Sequence, residues 1–168
     1  PKIDLHCHLG GCLSIADTVA IAAAALEEEF PGHKALSLED ARVTIEEAVS
    51  NPAILKTLDH CRYLQTLAAF HGYEPMLEAL WYGDYLDERT FFGVVGSRDG
   101  EEPQFYKYEQ LGDLQGSTLL QTRTAITQAV RVLLEASRQD GCIGLEIRCS
   151  PQNYTKCGLS YDQVLKTI

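Results

Sequence analysis

The sequence predicts an α/β fold whose parallel strands close on themselves as a barrel, and three observations carry that expectation. Residues 2–9 and 142–149 alternate apolar and polar side chains with the period of two that a strand requires. Helical periodicities fill the chain between and after them, the order of a parallel sheet covered by helices. Each strand also puts apolar side chains on one face and charged or metal-binding ones on the other, whereas an open sheet covered on both sides needs two apolar faces. A barrel whose strand ends open into a polar site accommodates that split.

The first strand carries Ile3, Leu5, Cys7 and Leu9 on one face and Lys2, Asp4, His6 and His8 on the other, and Gly10-Gly11 ends it. Ser14 then caps a helix with an apolar stripe of Ile15, Val19, Ala22, Leu26 and Phe30, closed by Pro31-Gly32. Residues 37–89 read as almost wholly helical. One helix runs from a Ser37 cap through Val49, a second from Pro52 to Phe70, and a third from Glu74 with Met76, Leu77, Leu80 and Trp81 as its apolar side. Residues 91–95 are a short strand candidate and residues 97–104 a polar loop. Helical period returns through Leu119, Ile126, Val130, Leu133 and Leu134, and Asp140-Gly141 makes a turn into the second strand. There Ile143, Leu145, Ile147 and Cys149 oppose Glu146 and Arg148, after which Ser160 and Gln163 form the capping box of a last helix.

At 168 residues the chain is long enough for one domain with its own core. Lys and Arg number 14 against 24 Asp and Glu, a net charge of −10, which argues against any non-specific grip on phosphate backbones. No apolar run is long enough to cross a membrane. The six cysteines include no C-x-x-C pair and are expected as reduced thiols of a cytoplasmic protein. A chain starting at Pro1 rather than Met is expected to have residues upstream.

Two constellations carry chemistry. His6 and His8 form an H-x-H at a strand end, where a period of two projects both imidazoles from one face with Cα atoms roughly 6–7 Å apart. Both nitrogens then come within reach of one metal at the zinc–imidazole distance of about 2.0–2.1 Å. The plain alternative is two histidines on a half-exposed strand; position favours the metal, because barrel sites lie at C-terminal strand ends followed by turns. In the second strand Glu146 and Arg148 share a face, where a structural ion pair bracing the barrel floor is favoured over a direct catalytic role. His33, His60 and His71 fall in or beside helices as surface or packed residues. Glu27-Glu28-Glu29 reads as a solvated helix end, Trp81 with Tyr82 and Tyr85 as packing or an interface, and Tyr106 and Tyr108 as candidates to line a pocket.

Pro1-Lys2-Ile3-Asp4-Leu5-His6-Cys7-His8-Leu9-Gly10-Gly11 resembles the opening strand of the adenosine deaminase family, whose P-K-x-E/D-L-H-x-H-L stretch supplies two zinc ligands. Gly144-Leu145-Glu146-Ile147-Arg148-Cys149-Ser150-Pro151 resembles the family's E-x-R-x-S-P strand. The two motifs cover about a tenth of the chain. The resemblance implies the N-terminal part of a (β/α)8 TIM barrel of the amidohydrolase superfamily, with the C-terminal half of the barrel absent. It implies one zinc ion held by His6, His8, a later histidine and a late aspartate, which activates water for attack on the purine C6 with loss of ammonia. Glu146 and Arg148 take a structural, supporting role beside that site.

The chain departs from the family pattern in three ways. Its last histidine is His71, so the later histidine, catalytic glutamate and aspartate have no counterpart after Glu146, and the expected acid–base residues lie outside this chain. The stretch from His8 to Glu146 is longer than the family needs, which implies a helical insertion over about residues 37–89. Such insertions build lids or oligomer contacts, and a prokaryotic branch linked to antiviral defence carries them. Gly10 stands where the family has Asp or Asn, and the family's aspartate hydrogen-bonds the ribose 5′-hydroxyl. Its loss removes a charge that repels a 5′-phosphate, so a phosphorylated adenosine such as ATP is an expected substrate at Gly10. The alternative for Gly10 is a tighter turn. The rival functions are another amidohydrolase and an inactive barrel retained for assembly.

Overall fold

The computed structural model describes residues 2–51, 53–82, 112 and 114–168, with Leu5 and His6 described by their backbone alone. Among them the chain is a mixed α/β structure with two parallel strands, β1 (Lys2–His8) and β2 (Cys142–Arg148). The helices are α1 (Ile15–Glu29), α2 (Leu38–Ser50), α3 (Ala53–Thr57), α4 (His60–Ala68), α5 (Glu74–Tyr82), α6 (Arg123–Gln139) and α7 (Tyr161–Leu165). A 3₁₀ turn over Pro151–Tyr154 follows β2. The strand expected over 91–95, the loop over 97–104, and Tyr85, Tyr106 and Tyr108 lie outside the described residues.

Local chemistry sets the helix starts. Ser14 Oγ accepts the Asp17 amide at 3.1 Å while the Asp17 carboxylate accepts the Ser14 amide at 3.0 Å, a reciprocal box that opens α1. Ser37 caps α2 and Ser160 with Gln163 boxes α7, as their sequences predict. The segment predicted as one helix over 52–70 is two, because Asp59 turns out of the helix and its carboxylate accepts the Arg62 amide to start α4. Similarly, α6 begins at a Thr122 cap rather than at Leu119. Leu119 and Leu120 are buried in the turn before it.

The core runs along α1. Its Val19, Ala22, Ala25 and Leu26 are buried, and the helix packs against α4 and α6. On α4 the apolar stripe is Tyr63, Leu64 and Leu67, all buried. The Tyr63 hydroxyl donates to the Leu114 carbonyl at 2.5 Å, tying α4 to the segment that leads into α6. Trp81 is 1% exposed, so it belongs to the core. Glu28 and Glu29 are not merely solvated: Thr124 Oγ1 donates to both carboxylates at 2.9 Å, and the Thr124 amide donates to Glu29. The acidic end of α1 thus docks on the N-terminus of α6, where its exposed amides and the helix dipole favour negative charge.

The strands pair from Lys2↔Cys142 to His8↔Arg148, and the Leu9 amide extends the ladder to the Arg148 carbonyl at 2.9 Å. Gly141 makes the turn from α6 with φ +77°, a left-handed conformation that suits glycine. Pairing is not regular. Between Asp4 and Cys7, β1 advances three residues while β2 goes only from Leu145 to Ile147, so an extra residue is accommodated over Leu5–His6.

Candidate functional site

Both motifs end at the same place. The C-terminal ends of β1 and β2 and the turns that follow them enclose an open cleft of about 410 Å³, lined by His8, Gly10, Ser117, Arg148, Ser150 and Asn153 among others. His8 is exposed and pairs in register with Arg148 across the strands. The Glu146 carboxylate meets the Arg148 guanidinium at 2.5 Å, with both side chains half-exposed. An ion pair so open to water is worth at most about 1 kcal/mol. Glu146 therefore orients the Arg148 fork at the cleft mouth more than it braces a core.

The backbone of His6 lies in β1, within the irregular stretch, and its side chain is outside the described atoms. Strict alternation would align Asp4, His6 and His8, but the extra residue changes the relation of Asp4 to the strand end. Asp4 instead bears on Cys7, whose thiol is pushed up to about 12 by burial first, then by Cys12, then by the Asp4 carboxylate. No group of three or more His, Cys, Asp or Glu side chains suited to a metal exists among the described residues. Of the two histidines of the H-x-H, His8 is the one whose side chain is described, and it lines the cleft at the strand end.

Gly10 has a packing explanation. A Cβ there would sit 2.5 Å from the Gly116 Cα and 3.2 Å from the Gln115 carbonyl oxygen. The segment before α6 crosses the end of β1 too closely for any side chain. This close backbone approach is one that only glycine at position 10 allows. Gly10→Ala is expected to cost about 1–3 kcal/mol by overpacking, read as a lower urea midpoint with unchanged slope.

Residues that hold or form the cleft wall also come from outside the two motifs. Gln121, 3% exposed, donates from Nε2 to the Ser117 and Asn153 carbonyls and accepts the Lys156 amide on Oε1 at 2.9 Å. One buried amide thereby staples the turn after β2 to the segment before α6, and this holds Asn153 and Ser117 at the cleft. Tyr154 closes the same wall, its phenol pushed up to about 12 chiefly by burial. The remaining histidines behave as packing predicts. His33 and His71 are exposed, and His60 stacks on Tyr63 with ring centroids 5.9 Å apart.

Compared with protein-family models, with curated proteins and with solved structures, the chain matches none. Among the described residues no helix is long and apolar enough to cross a membrane.

Proposed function

We propose that the protein carrying this sequence is a zinc-dependent hydrolytic deaminase of an adenine nucleoside or nucleotide. One observation supports this reading above the others. The H-x-H and E-x-R-x-S-P motifs, far apart in the chain, converge on a single open cleft at the ends of two parallel strands. Its volume of about 410 Å³ is in the range of small-molecule sites, about 300–1,000 Å³.

His6 and His8 hold the metal in this reading, with the other ligands coming from elsewhere in the protein. Bound zinc supplies an activated water for hydrolytic loss of ammonia from the purine. Arg148, oriented by Glu146, presents a planar cation at the mouth, where it steers a polar or anionic ligand inward. Gly10 and Gly11 line the cleft beside His8, where the turn after β1 forms part of its wall. Acceptance of a 5′-phosphate is a further part of the proposal, and it rests on the cation at Arg148 rather than on Gly10. Oligomerisation through helices α2–α5 belongs to the same reading.

The test is metal analysis of the protein as purified, followed by a spectrophotometric deamination assay on adenosine, AMP and ATP. About one zinc per chain with conversion of any of the three supports the reading. Zinc without purine turnover moves the protein to another amidohydrolase activity. Absence of metal in protein prepared without chelators leaves the inactive assembly barrel.

A further inference from the structure

The turn after β1 brings two thiols together. Cys7, the last apolar residue inside β1, and Cys12, two residues past the bend at Gly10, place their sulfurs 3.2 Å apart. Cys7 is 8% exposed and Cys12 is open to solvent. A disulfide needs about 2.05 Å between sulfurs, so roughly one further ångström of approach closes the bond. The partner free to supply it is Cys12, on an exposed turn rather than in the strand.

We propose that Cys7 and Cys12 form a reversible intramolecular disulfide, with a low-molecular-weight disulfide such as glutathione disulfide as oxidant. The exposed Cys12 thiolate attacks one sulfur of the oxidant, whose S–S bond breaks and releases one thiolate that takes up a proton. Cys7 then attacks Cys12 Sγ, giving its proton to solvent, and the second small thiol leaves with the electrons of the broken mixed disulfide. Two protein thiols are oxidised, one disulfide is reduced to two thiols, and two protons pass over.

The ring so closed contains His8, Leu9, Gly10 and Gly11, all of which line the cleft. Gly10 is fixed against Gly116, so closure is absorbed on the Gly11–Cys12 side, next to His8. The redox state of this pair therefore sets the shape of the strand end whether or not the protein is a deaminase.

The test uses the whole folded protein equilibrated in glutathione buffers of increasing oxidation, quenched with acid, alkylated and mapped by peptide mass spectrometry. The expected result is a peptide spanning Cys7 and Cys12 that has lost two hydrogens and resists alkylation. It appears in one two-electron transition and returns to two thiols on reduction. Exposed Cys157 serves as the control for reagent access. In Cys12→Ser the species vanishes and Cys7 remains a free thiol. Alkylation of both cysteines across the whole range, while Cys157 reacts with glutathione, would overturn the proposal. So would a mixed disulfide on Cys12 that never resolves onto Cys7, or Cys12 pairing with a different cysteine.

Discussion

The His6→Ala/His8→Ala variant is expected to purify without zinc and without deaminase activity, while keeping the wild-type far-ultraviolet circular dichroism. Zinc held by a full protein ligand set gains about 10–16 kcal/mol at neutral pH. Removal of two of the four ligands of the proposed site forfeits on the order of half of that, about 5–8 kcal/mol, which is roughly ten-thousandfold to a millionfold in affinity. The fold should survive, because His8 is exposed and the packed face of β1 is carried by Cys7 and Leu9. Metal analysis and an unfolding curve on the same preparation separate the two effects. Retention of stoichiometric zinc in the double variant would remove β1 from the metal site altogether. The single His8→Ala variant is informative too, since His8 has its place at the cleft and His6 lies where the strand pairing is irregular.

The second large effect is a loss of stability in mild acid, centred on His60. Its ring lies between Phe30 and Tyr63, and its Nε2 is buried with no hydrogen-bond partner among the described residues. Burial lowers its pKa from 6.5 to about 4, against the opposing pull of Asp59 and Glu29. In this case the folded state holds the proton more weakly than the unfolded chain. Stability is therefore complete above the ordinary value of 6.5 and declines as pH falls from there towards about 4. At 1.36 kcal/mol per pH unit, the shift corresponds to about 3 kcal/mol, a large part of a typical domain's stability. Urea unfolding at about pH 7.5 and about pH 4.5 should show that loss in wild type. His60→Phe keeps the ring stack and has nothing to protonate, so its curves should move much less between the two conditions. Equal pH dependence in both proteins would assign the acid sensitivity to the carboxylates instead.

Much of the helical framework was legible because its signals are local. The Ser14, Ser37 and Ser160 caps each mark a helix start within a residue, since one side-chain oxygen and one amide decide the matter. The split at Asp59 was hidden because Leu55, Leu58, Cys61 and Leu64 keep helical spacing across it. Apolar periodicity reports what is buried but is blind to a backbone that leaves the helix and re-enters it. Leu119 and Leu120 misled in the opposite sense, being buried without being helical. At the candidate site, the sequence indicated the two strand ends and Arg148 beside Glu146. It did not indicate Gln121, whose role depends on two chain segments arriving on either side of it. Nor did it show that Asp4 bears on Cys7. Alternation assumes a regular ladder, and the extra residue over Leu5–His6 is a property of the pairing with β2, not of β1 alone. The approach of Cys12 to Cys7 had a faint signal, two cysteines flanking a Gly-Gly bend, but only the path of the turn brings the sulfurs together.

The pairing of Lys2 with Cys142 also governs the order in which the molecule can be assembled. During synthesis β1 emerges before the other described elements and has no described strand to pair with until α6 has been made and β2 follows it. Contacts of α2 with α4 and α5 close short loops and form early, whereas the β1–β2 ladder closes the longest described loop and forms late. Until then, the strand bearing both histidines and Cys7 has no partner strand among the described residues, and open strand edges are prone to pair with other chains. The cleft, formed where these two strands end, is therefore expected to assemble after the contacts among α2, α4 and α5. Mutations that slow the docking of α6 on α1 should reduce the yield of assembled sites before they alter helix content.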